Sequence, residues 1–202
     1  ENGRIPKVPI FLDSPLAINL TKIYKNYFTD KRYFNKEAFE ATKKDEAIFD
    51  FPGLKMILSH SQSEEIDKIK ESKVIIAGAG MSQGGRIVRH EYHFLPDSNS
   101  AILFVGYQIK GSLGRKILDG EKTVKIFGEE IPVRARKEFI SGYSAHADQN
   151  MLLNWLRPMR ITLKKIFLVQ GEEEQMLPLA QKIRDELAIE VAIPSLNEEF
   201  ML

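Results

Sequence analysis

"KVIIAGAGMSQGGRIVRHEYHFL", residues 73–95, decides the fold class. A short apolar run, a glycine-rich loop and an amphipathic run follow one another there, which is the order strand, loop, helix. The same order repeats on both sides. "VPIFL" (8–12) leads into "SPLAINLTKIYKNYF" (14–28), "LKMIL" (54–58) into "SEEIDKIK" (63–70), and "AILFVGY" (101–107) into "SLGRKIL" (112–118). Continuous apolar strands alternating with helices predict an α/β fold with a mostly parallel sheet and helices on both faces.

From about Glu121 the rhythm changes. "TVKIFGEEIPVRARKEFI" (123–140) reads as two β-rich runs around "GEE", a hairpin with no helix between its arms. A helix ("DQNMLLNWLRPM"), a strand ("KKIFLVQG"), a helix ("EEEQMLPLAQKIRDELA") and a last short strand ("IEVAIP") follow. This second segment is small for an independent domain, so its sheet is expected to be completed by strands from elsewhere. The opening "ENGRIPKVPIFL" reads as a polar turn running into a strand, as if an upstream segment preceded it.

Composition narrows the function classes. In 202 residues, 43% apolar side chains suffice for a real core, and 29 Lys and Arg against 28 Asp and Glu leave a formal charge of +1. Any anion-binding surface must therefore be a local cluster. Without cysteine, a disulfide framework, thiolate zinc sites and a cysteine nucleophile are all excluded, which is the pattern expected of a cytoplasmic chain. No apolar run approaches the roughly 20 residues that span a bilayer, and the start lacks a signal-peptide pattern, so no membrane partner is expected.

Three strand-to-helix loops are candidates for anion binding. In "DSPLA" (13–17), Ser14 suits the N-cap and Pro15 the first helical position, although an ordinary capped helix is the plainer reading. "GAGMSQGGR" (78–86) lets backbone amides approach a phosphate and offers Ser82, Gln83 and Arg86 as side-chain donors around Gly84. It matches neither the dinucleotide fingerprint nor the Walker pattern. "VGYQIKGSLGRK" (105–116) repeats the arrangement, with a turn at Gly111, a helix start at Ser112, and Arg115. Parallel strands would place all three loops on one sheet edge, a phosphate-binding ledge.

The four histidines differ in promise. His60 reads as the end of a strand before a Ser-rich turn. His90 and His93, three apart on one helix, could share a metal, but a helix surface beside Arg86 and Arg89 is the simpler reading. His146, in "SGYSAHADQ" (141–149), sits among small residues with Ser144 and Asp148 at its flanks, and Asp148 is a natural N-cap for the next helix.

"DSPLA", "AGAGMSQGGR", "FVGYQIKGSLGR", "SGYSAHAD" and "FLVQGE" occur in the order and approximate spacing of the β-CASP branch of the metallo-β-lactamase fold. The chain resembles these RNA-processing nucleases, which include the cleavage-and-polyadenylation endonuclease and its bacterial and archaeal relatives. The resemblance implies that residues 1–133 are the β-CASP domain, a lid inserted into the metal-binding domain, and that 134–202 are the C-terminal portion of that metallo-β-lactamase domain. It implies two zinc ions in the complete site, held largely by an upstream HxHxDH motif that these residues do not contain, so this chain alone should be inactive and bind no zinc tightly. It implies single-stranded RNA as the partner, gripped by Ser14, Ser82, Gln83, Gly84, Arg86, Ser112, Arg115 and Ser144, and leaves a homodimer open.

His146 aligns with the family's motif B histidine, implied to protonate the leaving group or to stabilise the transition state. At motif C the family has a histidine zinc ligand where this chain has Gln170, whose amide is a weak neutral oxygen donor. Gln170 therefore favours a rival reading, a non-catalytic RNA-binding or scaffolding paralogue. Without the motifs, the rhythm alone would suggest a flavodoxin-like nucleotide-binding module.

Overall fold

The computed structural model describes residues 6–27, 30, 32, 33, 35, 36, 49 and 51–201. The opening polar turn and Phe28, the expected end of the first helix, lie outside them. The chain divides into two compact units, Glu1–Gly142 and Tyr143–Leu202.

In the first unit, β1 (Ile10–Asp13) is central, with β2 (Leu54–Met56) and β3 (Val74–Ala77) parallel on its two sides; Ile10 stands opposite both Leu54 and Val74. The helices follow as the sequence predicts: α1 (Pro15–Tyr27) after β1, α2 (His60–Lys68) after β2, α3 (Gly85–Phe94) after β3. Phe11, Ile57 and Ile66 form the core beneath this sheet. Ile18 is completely buried, a contribution of roughly 1.5–3 kcal/mol for such a side chain.

His60 is not the end of a strand. β2 stops at Met56, and Ser59 caps α2 in a reciprocal box with Gln62, which places His60 on the first turn. The local signal was the Ser-x-x-Gln spacing, which satisfies two orphan backbone donors at once.

β4 (Ala101–Phe104) precedes α4 (Leu113–Asp119), whose end is set by left-handed Gly120. β5 (Thr123–Ile126) and β6 (Glu129–Pro132) form the expected hairpin, turning on Phe127 and Gly128 at φ 51° and 88°. The run "RKEFI", read from sequence as part of that hairpin, instead supplies β7 (Arg136–Phe139), parallel to β4. Pro132 has no N–H to continue the ladder. The chain leaves the hairpin just beyond it, and the Arg134 and Ala135 amides turn to the Leu95 carbonyl. With this pairing the first compact unit runs to Gly142. Leu95, Phe104, Ile117, Val124, Ile126 and Ile131 form its second core cluster.

The second unit holds α5 (Gln149–Leu156), a 3-10 turn (Arg157–Met159), β8 (Lys165–Phe167), α6 (Glu173–Leu187) and β9 (Glu190–Ala192). β8 and β9 pair in parallel, and Leu153, Leu156, Ala180, Ile183, Leu187 and Val191 close the core between helices and strands. Among the described residues, no helix is long and apolar enough to cross a membrane.

Candidate nucleic-acid interface

The three loops singled out in sequence meet in the first unit, but not along the single sheet edge expected: β1 and β3 share the three-stranded sheet, whereas β4 pairs with β7 in a separate two-stranded one. Gln108 Nε2 donates to the Gly80 carbonyl at 2.7 Å, and the Gly114 amide donates to the Met81 carbonyl at 3.2 Å, joining the loop after β4 to the loop after β3. The β1 loop abuts as well, since a Cβ on Gly78 would stand 2.9 Å from Ser14 Oγ. Gly114 is equally constrained: a Cβ there would fall 1.9 Å from Gln108 Oε1. Glycine at 78 and 114 lets the loops close on one another.

Next to the β1 loop lies a polar cluster centred on Asp13, the fully buried last residue of β1. Asp13 Oδ2 accepts from Ser63 Oγ at 2.6 Å and lies 2.7 Å from His90 Nε2, while Oδ1 takes Arg86 Nη1 at 2.5 Å. Burial alone would push the Asp13 carboxyl up; the hydrogen bonds from Ser63, His90 and Arg86, with the Arg86 charge, outweigh it and hold the group below the ordinary carboxylate value. Arg86 also reaches the Ile57 and Leu58 carbonyls. On the outer side of His90, Asp67 Oδ1 stands 3.4 Å from Nδ1 without forming a hydrogen bond, and Asp67 Oδ2 pairs with Arg89 at 2.9 Å and His93 at 3.2 Å. Asp13, invisible in sequence except as the residue before Ser14, ties β1, α2 and α3 together.

In this geometry several of the candidate donors are engaged within the protein. Arg86 is turned inward to Asp13 and two carbonyls, because an unpaired carboxylate at that depth would be costly. Ser82 does not cap α3, whose N-cap is Gly84 with no side-chain bond; its buried hydroxyl donates to Glu91 Oε1. Ser112 is buried and caps α4 by accepting from the Arg115 amide at 3.1 Å. Arg115 Nε lies on the Asp119 carboxylate at 2.8 Å, and Ser14 Oγ accepts from the Ala17 amide at 3.3 Å. Gln83 and the glycine backbone of 80 and 85 are exposed.

In the second unit, every residue from Tyr143 to Asn150 is exposed, His146 included. The His146 amide donates to Ser144 Oγ at 3.2 Å, and Asp148 caps α5 by accepting from the Met151 amide at 2.8 Å. Gln170 ends the strand region after β8 with φ 59°, exposed. A histidine tolerates that left-handed backbone as well as glutamine does. A catalytic zinc takes three protein ligands, and among the described residues no group of three or more His, Asp or Glu has metal-holding geometry. With a glutamine amide at the one position where the resemblance implies a zinc ligand, the described donors of this chain do not fit a zinc site by themselves.

Two family models align with the chain in the order of these features. The Beta-Casp domain matches residues 1–117, from the strand before Asp13 through the α4 loop, and the Zn-dependent metallo-hydrolase RNA specificity domain matches 130–194. The chain belongs to the β-CASP family. Among similar β-CASP relatives, Ribonuclease TTHA0252 of Thermus thermophilus is 37% identical over 178 residues, 88% of this chain and 40% of that protein. Transcription termination factor FttA of Methanocaldococcus jannaschii is 31% identical over 189 residues, 91% of this chain and 29% of its own length. An RNase J-like protein of the same organism is 29% identical over 194 residues, 96% of this chain and 43% of the relative. This β-CASP chain therefore spans less than half the length of these curated relatives.

Proposed function

We propose that this chain is the RNA-gripping part of a zinc-dependent RNA phosphodiester hydrolase, with 1–133 as the β-CASP domain and 134–202 as the C-terminal portion of the metal-binding domain. The observation that supports this reading is the meeting of the three loops, two bonded directly and the third in close contact, which gathers Ser14, the Gln83–Gly84 turn and the Ser112 region in one place. Backbone amides at helix starts bind phosphate oxygens without reading base identity, as a processing enzyme for single-stranded RNA requires. His146, exposed beside Ser144, is the group assigned to the departing oxygen, as a proton donor or a positive charge. The two zinc ions of the family take their other ligands from outside this chain, in a cytoplasmic enzyme.

Fluorescence anisotropy with a labelled single-stranded RNA tests the grip. Binding should weaken with salt at a log–log slope of about −0.7 per phosphate contacted. No binding at low salt, or equal affinity for heparin and RNA with no saturable complex, would remove the reading.

The Gln170 amide favours a second reading, a non-catalytic RNA-binding paralogue. Cleavage assays on the protein carrying its metal-binding portion separate the two: Gln170→His should raise metal content and cleavage if Gln170 stands at the metal, and His146→Ala should then remove about 10²-fold of the gain. Unchanged metal and cleavage would place motif C elsewhere.

A further inference from the structure

The outer face of α1 is as regular as its inner one. Ile18 is completely buried, and Ser14, Ala17, Thr21 and Lys25 on the same side are half-buried. Leu16, Leu20, Ile23 and Tyr27, spaced by four, three and four residues, are 71%, 45%, 52% and 46% exposed. At about 100° per residue these four fall on one line along the helix, opposite Ile18. Tyr33 carries the line further, since it is exposed and its ring stands edge-on to Tyr27 at 5.3 Å. Among the described residues, no other helix of the first unit exposes a large apolar side chain.

That spacing is the one with which helices pack side by side, an apolar residue recurring every 3.5 positions or about that. Charge then limits the occupant. α1 has no acidic residue, and its two lysines, Lys22 and Lys25, lie more than about 120° round the helix from the apolar line. Asn19, Tyr24 and Asn26, which flank the line, are neutral. Arg32, 5.5 Å from the centre of the Tyr33 ring, is already paired with Asp30 at 2.7 Å. A polyanion or an acidic helix would find no cation along this line, and a basic one no anion. A second copy fits without any charge. The spacing reads the same from either end, so two α1 helices running antiparallel about a two-fold axis set Leu20 against Ile23 and Leu16 against Tyr27, each contact made twice. Opposed helix dipoles favour that direction over the parallel one.

We propose that α1 is a self-association surface, through which two copies of this chain pair antiparallel along Leu16, Leu20, Ile23 and Tyr27. Its 13 residues give a seam of about 20 Å. An interface that short falls in the small class, below about 1,200 Å², whose complexes are weak and transient. The pair therefore forms at high concentration and comes apart on dilution. None of this depends on RNA.

Sedimentation equilibrium of the 202-residue chain, from about 5 to about 500 μM, tests the pairing. The weight-average mass should climb with concentration from 23.1 kDa towards twice that value. Leu20→Glu and Ile23→Lys alter exposed positions, so each variant should keep its fold, checked by circular dichroism. Each should weaken association at least about tenfold, because a charge is pressed against an apolar side chain. Mixed in equal amounts, the two variants should associate at least about fivefold more tightly than either does alone, since the antiparallel register brings the introduced carboxylate and ammonium together and restores one apolar contact. Parallel helices would set 20 against 20 and 23 against 23, with no such recovery. A wild type that stays at 23.1 kDa throughout, or that associates equally well with either substitution, would overturn the proposal, and so would weakened variants that fail to recover on mixing. A wild type that stays monomeric but binds a labelled oligouridylate more tightly than both variants would give the face to RNA instead.

Discussion

The loops of the first unit and the His146 loop of the second carry motifs of similar composition, small residues with serine and a basic side chain, yet they use them in opposite ways. In the first unit Asp13, Ser63, Ser82, His90, Glu91 and Ser112 are buried and bonded to the protein itself. In the second, Tyr143 to Asn150 lie exposed, and their side-chain bonds include the Ser144 contact to the His146 amide, the Asp148 helix cap and bonds from Lys182 to Gln149 and Asn150. Motif residues of the first kind are bonded within the protein, and those of the second are left exposed to solvent. Substitutions should therefore be read out as stability in the first unit and as activity in the second.

The largest effect should come from Asp13→Ala. Removing the carboxylate strands the Arg86 guanidinium, and breaking a buried pair by deleting one partner costs about 3–5 kcal/mol, measurable by urea unfolding. A loss below about 1 kcal/mol would dissolve the contrast between the units.

Glu91 comes next, with a definite sign. Its folded pKa of about 7 lies above its ordinary value of 4.5, so between those values the folded chain holds a proton that the unfolded chain has released. This contribution is fully present below pH 4.5, declines as pH rises, and is gone above 7, a change of about 3 kcal/mol. Glu91→Gln should flatten that slope, so the variant gains on the wild type as pH increases. A parallel pH–stability profile would show that Glu91 is not buried as described.

Gly114→Ala should cost about 1–3 kcal/mol, because its Cβ would overlap Gln108 Oε1 and approach Phe104 Cε1 at 3.2 Å. Gln108→Ala, which frees that space, should make the pair strongly non-additive. In the second unit Asp148→Ala should cost about 1 kcal/mol, the usual value of a helix cap. Smallest of all, His146→Ala should change stability by no more than about 0.5 kcal/mol, as for an exposed side chain without structural bonds. A larger loss would move His146 into the structural class and break the comparison.

The alternation of strands and helices was legible because each apolar run is bounded by capping or turn residues, as at Ser112, Gly120 and Asp148. The parallel pairing of β7 with β4 was not, since "RKEFI" has nothing local that distinguishes a hairpin arm from a strand recruited across the chain. At the candidate site, spacing located the three loops but not the inward turn of Arg86, Ser82 and Ser112. Orientation depends on what lies opposite, and Asp13, Glu91 and Gln108 come from other segments. A signal was present in part: an aspartate closing an apolar strand and a glycine inside a helix turn both hint at close packing.

The sheet order has a consequence in time. The β5–β6 hairpin closes through a two-residue turn and belongs to events on the microsecond scale. β1 has no such neighbour: Ile10 must find Leu54 and Val74, and each search closes a long stretch of chain before any ladder bond rewards it. The Asp13 cluster needs β1, α2 and α3 all in place, so its carboxylate, arginine and histidine meet only once the slowest searches have ended. On a ribosome or in a refolding tube, desolvation of Asp13 would mark maturity of the first unit, and chains stalled before it would expose both β1 edges, the surface most open to pairing with a neighbour.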